Sequence, residues 1–173
     1  MKPSQLALLP IAAILSLLIA SMIATEVPPD FAAFWLAGKL SASGGDPYAL
    51  AQWQLAGVAL IDPTFLYPRP LATLFIPLSW LPLQESFIAW TALTLLAQAG
   101  AAVLVLALFP GSRHYILPVL AGFLLFRPFW AVLATGQMSA FLLLDLVIAA
   151  WLWRHEKWLA GGLVLSCLSL KPQ

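Results

Sequence analysis

From Pro3 to Thr25, and again from Ser86 to Ser112, no side chain carries a formal charge. Such runs are hard to bury in a small soluble globule, but they match the roughly 20 apolar residues that cross a bilayer as a helix. Composition points the same way. Charged residues make up 9% of the 173 and hydrophobic residues 62%, with a mean hydropathy of +0.96, whereas an ordinary soluble domain is about 25% charged. Soluble, disordered and coiled-coil classes are therefore excluded, leaving an all-α polytopic membrane protein. A net charge of +1, with the eight Lys and Arg scattered singly, gives no footprint for nucleic acid. The single cysteine, Cys167, cannot form an intrachain disulfide.

The apolar runs place spans at about 6–25, 86–109, 115–135, 137–153 and 158–170. A cleaved signal peptide is the alternative for the first, because Lys2 precedes it, but the run exceeds the usual h-region of about 7–15 residues and no clear A-x-A site follows. The third is interrupted only by Arg127 and the fourth only by Asp145. The last is short and reaches across only if tilted or snorkelled. Residues 71–83, with Pro77 inside and Pro70 and Pro82 at the ends, form a short or re-entrant piece. Lys2, Arg113 with His114, and Arg154 with Lys157 all fall on the cytoplasmic side if 71–109 makes one net crossing. The N-terminus is then cytoplasmic in a plasma (inner) membrane, and the loop from Glu26 to Pro70 faces outward.

That loop holds four of the seven acids, Glu26, Asp30, Asp46 and Asp62. A loop so long should carry its own elements and function. Asp30, after Pro28-Pro29, can cap a helix in which Phe31, Phe34, Trp35 and Gly38 fall at i, i+3, i+4 and i+7, an interfacial amphipathic pattern. Asp46-Pro47 repeats the start signal for a second short helix through Trp53 toward Gly57, with Ser43-Gly44-Gly45 as the turn between. Tyr67-Pro68-Arg69-Pro70 should be extended before each proline. Asp46 and Asp62 read as turn or cap residues. Asp30 reads either as a cap or as a carboxylate that meets a substrate entering from the membrane.

Arg127 precedes Gly136 by nine residues and Asp145 follows it by nine, which puts both about 13 Å below the same surface on adjacent helices. A lone charge at that depth costs about 2.5–3.5 kcal/mol, so an Arg127–Asp145 pair is expected. Gln137 and Lys171 lie 34 residues apart, two short helices out and back. They should return to one face, above the same pocket as Asp30. The plain alternatives are a polar turn for Gln137 and a snorkelling helix end for Lys171.

The order of motifs now becomes recognisable. Asp30-Phe-x-x-Phe-Trp-x-Ala-Gly38 is followed by Gly45-Asp46-Pro47-Tyr48, then Tyr67-Pro-Arg-Pro70, Pro77-Leu78 with Leu81-Pro82, Gly136-Gln137, and Ala160-Gly161-Gly162 leading into Lys171-Pro172-Gln173. This order resembles glycosyltransferase family 87, membrane enzymes of the C-type (GT-C) superfamily. The resemblance implies a GT-C-like helix bundle whose outward first loop carries short amphipathic helices. It implies transfer of a mannose-like hexose, with inversion, from a polyprenyl-phosphate sugar donor to a lipid or glycan acceptor at the outer face. The family's proposed base is matched by Asp30. Lys171, Arg69 and Gln137 are the candidates for the departing phosphate, with Tyr67 beside them as a further substrate contact. No cofactor is implied, and no metal-ligand cluster is visible. Arg69 stands where the family has a second proline, as an added phosphate contact or as local drift. Family members are typically more than twice this length, so the chain reads as an N-terminal portion. The competing reading is a non-catalytic membrane protein, or a small transporter-like subunit, built around a buried Arg127–Asp145 pair.

Overall fold

The computed structural model describes residues 26–49, 65–109, 122 and 125–171. The first span, the helix expected through Trp53, Asp62 and the Arg113-His114 pair expected on the cytoplasmic side lie outside these residues. Within them the architecture is all-helical.

Helix α1, Pro29–Ala42, begins on Pro29, whose fixed φ suits a helix start, with Asp30 in its first turn and Lys39 in its last, each complementing the helix dipole. It does not lie as a one-faced interfacial helix. Phe31, Ala32 and the whole stretch Phe34 to Gly38 are buried, because short helices wrap it. These are α2, Arg69–Leu74, and α3, Ile76–Ser79, and both pack against α1. The chain turns between them at Phe75, where Pro77 has no N–H to continue the α2 ladder. At 1.5 Å per residue the two span about 9 and 6 Å, against a hydrocarbon core of about 30 Å. Neither is long enough to cross a membrane by itself. Gly38 allows the close packing: a Cβ there would lie 2.7 Å from the Phe75 carbonyl carbon and oxygen.

Helix α4, Leu83–Leu108, is long and apolar enough to cross a bilayer, with a mean hydropathy of 2.0. It contains almost all of the span expected at 86–109. The expected 115–135 span is not one continuous helix. Phe126 is extended, at φ −78° and ψ 108°, and α5, Arg127–Thr135, starts anew with Pro128 in its first turn. The proline ring clashes with a carbonyl four residues back, which breaks the ladder there. Helix α6, Ser139–Arg154, and α7, Trp158–Leu165, follow, and a 3-10 turn, Ser166–Leu170, ends on Lys171. Helices α4 and α6 run parallel. Trp90 stacks on Phe141 near one end, and at the other Arg154 donates to the Leu108 carbonyl.

The core is an aromatic cluster at the α1 end of this pair. Phe31, Phe34, Trp35, Phe65, Phe75, Phe87 and Trp90 are buried together. Phe34 stacks on Phe75 at 5.0 Å, and Phe31 lies 5.3 Å from Phe87. Such contacts contribute about 0.5–1.5 kcal/mol each beyond area burial. The Trp35 indole N–H bonds the Leu81 carbonyl at 3.0 Å, fixing the turn into α4.

Candidate active site

Asp30 is exposed at the mouth of this cluster, on the first turn of α1. It does not cap the helix. Pro28 holds the cap position and no side chain bonds the free amides there. The Asp30 carboxylate instead accepts from a residue 107 positions away, Gln137 Nε2 to Asp30 Oδ2 at 2.8 Å.

Two contacts bring Gln137 there. Gly136 ends α5 in the left-handed region, at φ +70°, and its carbonyl accepts the buried Trp90 indole N–H at 2.8 Å. The turn also presses on α1, since a Cβ on Gly136 would fall 2.6 Å from the Cβ of Phe31. Gln137 thus follows a residue in contact with the neighbour of Asp30. Lys171 arrives from the other side, at the end of the 3-10 turn. Its Nζ donates to Gln137 Oε1 at 2.8 Å and to Ser139 Oγ at 3.0 Å. Asp30, Gln137 and Lys171 form one hydrogen-bonded chain, drawn from three elements remote in sequence.

Burial pulls the Lys171 ammonium below the ordinary lysine range, and the Asp30 carboxylate works against that shift. Tyr67 lies close enough to feel the same carboxylate. Burial, and after it Asp30, push its phenol above the usual tyrosine value. Its ring packs 4.9 Å from Phe34, and its backbone carbonyl accepts the Tyr48 hydroxyl at 2.7 Å. Arg69 is not brought into the chain. It donates to Asp46 Oδ1 at 3.2 Å and lies over the Tyr48 ring at 5.7 Å. Asp46 Oδ1 also accepts the Tyr48 amide at 3.2 Å, the turn role expected of it.

Arg127 and Asp145 do not form the expected ion pair. Among the described residues the salt bridge found is Arg69–Asp46. Arg127 is exposed at the first position of α5, where the break before Pro128 places it, while Asp145 is half-buried within α6. Nor do these two line the apolar cleft of about 530 Å³ beside α5, whose walls include Gln98, Phe126, Phe129, Val132, Ser139 and Leu143. Ser139 joins that cleft to the polar chain. Ser139 and Trp90 were not singled out in the sequence. The only signal for Ser139 is its position two residues after Gln137, and Trp90 reads as one more apolar-run aromatic. Among the described residues no three His, Cys, Asp or Glu side chains converge as a metal site would require.

The described residues are all helical, with one apolar helix of bilayer length, and a carboxylate, an amide and an ammonium are joined at one end of it. A family model for glycosyltransferase family 87 matches residues 65–173, which include Tyr67, Arg69, Gln137, Ser139 and Lys171 but not Asp30. The chain belongs to glycosyltransferase family 87, consistent with the GT-C superfamily. No curated protein and no solved structure matches it.

Proposed function

We propose that the protein transfers a hexose, mannose-like, from a polyprenyl-phosphate sugar to a lipid or glycan acceptor on the outer face of the plasma membrane, with inversion at the anomeric carbon. The observation that carries this reading is the Asp30–Gln137–Lys171 chain. It sets a proton acceptor and a cation side by side at the mouth of an aromatic cluster.

In the reaction the acceptor hydroxyl hydrogen-bonds to the Asp30 carboxylate, and its oxygen attacks the anomeric carbon from the face opposite the phosphate. The bond from that carbon to the phosphate oxygen breaks, and its electron pair leaves with the polyprenyl phosphate. A carboxylate is a weak base, so the hydroxyl proton moves to Asp30 late, once bond formation has acidified it. Lys171 supplies a positive charge and an N–H for the developing phosphate charge. The apolar cleft that opens at Ser139 suits the polyprenyl chain, and the exposed Arg69 at the loop rim suits an approaching anionic headgroup. Multi-pass insertion, with the polar chain outward, gives both lipid substrates access from the bilayer.

Asp30→Asn keeps the size of the side chain and its bond to Gln137 as an acceptor while removing the base. In a chain carrying the whole family module, transfer from a polyprenyl-phosphate hexose should fall to background with expression unchanged. Retained transfer refutes the assignment.

A further inference from the structure

We propose that Gln137 is a positioning residue, an amide spacer that fixes the distance between the Asp30 carboxylate and the Lys171 ammonium, with Ser139 as the second anchor of Lys171. This rests on the transferase reading above. An ammonium only donates and a carboxylate only accepts. Gln137 therefore fits between them in one orientation, its oxygen toward Lys171 and its NH₂ toward Asp30. The flipped amide would set NH₂ against ammonium and oxygen against carboxylate.

The hydrogen bonds leave defined vacancies for substrate. Lys171 uses two of its three N–H groups on Gln137 and Ser139, so one remains for a phosphate oxygen. Asp30 uses Oδ2 on Gln137, so Oδ1 faces the acceptor hydroxyl. Across one amide, the two charged groups lie no more than about 8 Å apart. An inverting displacement holds the sugar between the group that takes the proton and the group that meets the leaving oxygen. Inverting glycoside hydrolases likewise keep their two carboxyl groups about 6.5–9.5 Å apart, which leaves room for the attacking nucleophile, a water in that case. A direct Asp30–Lys171 ion pair would neutralise both groups and close the gap. Gln137 keeps them separated, and it is itself pinned by the Gly136–Phe31 contact and the Trp90 bond.

The test uses a chain carrying the whole family module, with a synthetic polyprenyl-phosphate mannose as donor and an alkyl mannoside as acceptor. Gln137→Asn shortens the spacer by one methylene. The expected result is a kcat lower by about 100-fold, the cost of a 1 Å misplacement, with donor KM within threefold of wild type. Ser139→Ala should lower kcat about tenfold, the equivalent of one lost hydrogen bond, and Ser139→Thr should restore it. This pair decides the matter even if Gln137→Asn fails to fold. Wild-type kcat in Gln137→Asn, or a raised donor KM at unchanged kcat, overturns the proposal while the function stands. Equal activity of Ser139→Ala and Ser139→Thr overturns it too. Absence of transfer by the wild-type chain overturns the function as well.

Discussion

Lys171 sits where burial and a nearby carboxylate pull its ionisation in opposite directions, and burial dominates. Its charge is therefore lost at lower pH than for a free lysine. The alkaline limb of kcat should fall below the ordinary lysine pKa of about 10.4 and move upward in Lys171→Arg, which stays protonated. The sign for stability follows from proton counting. Between the lowered pKa and the ordinary one the unfolded chain binds more protons, so this residue's contribution to stability grows as pH rises. Tyr67 has the opposite sign, since its raised pKa makes the folded chain the better proton binder just above pH 10. A pH-rate profile and melting curves across the alkaline range check both. At this scale the sequence was informative where spacing was simple. The return of Gln137 and Lys171 to the level of Asp30 follows from counting residues out and back. The partner of Arg69 did not, because no periodicity relates Asp46 to it.

Two glycines with a left-handed backbone differ in what surrounds them. Gly136 and Gly44 share the left-handed backbone, at φ +70° and +74°, but only Gly136 has neighbours within 4 Å. Gly44→Ala should cost the conformational term alone, about 1–2 kcal/mol. Gly136→Ala adds overpacking against Phe31, another 1–3 kcal/mol or so. It should also lower transfer, because α1 must back away from the turn that delivers Gln137. Thermal melting in detergent compares the two, and equal shifts would remove the close approach from the account. The burial of α1 belongs to the same scale. Its i, i+3, i+4 pattern suggested one apolar face, yet Leu36 and Ala37 are equally buried. The proline-broken helices α2 and α3 supply the second wall.

The parallel course of α4 and α6 gives the pair two distinct ends. Trp90 and Phe141 mark the end that holds Asp30, Gln137 and Lys171, and Leu108 and Arg154 mark the other. The topology proposed above, from the charge bias of the sequence, puts the first end outward and the second on the cytoplasmic side. In a Cys167→Ser background, a membrane-impermeant maleimide should label Ser43→Cys in intact cells and Lys157→Cys only after permeabilisation. The reverse pattern would invert the topology. Family membership fits this arrangement, since the matched segment 65–173 runs from the aromatic loop through Lys171.

By itself the sequence determined the helical class, the scarcity of charge that filters its functional residues, and the order of motifs that marks the family. All of these are local or additive properties, readable from hydropathy and spacing. Only the tertiary structure decided that Asp30 bonds Gln137 instead of capping its helix, that Ser139 shares Lys171, and that Arg127 and Asp145 stay apart. Each of these depends on which backbones approach closely, at Gly136 against Phe31 or at the break before Pro128. The first joins segments more than a hundred residues apart, beyond the reach of any local pattern.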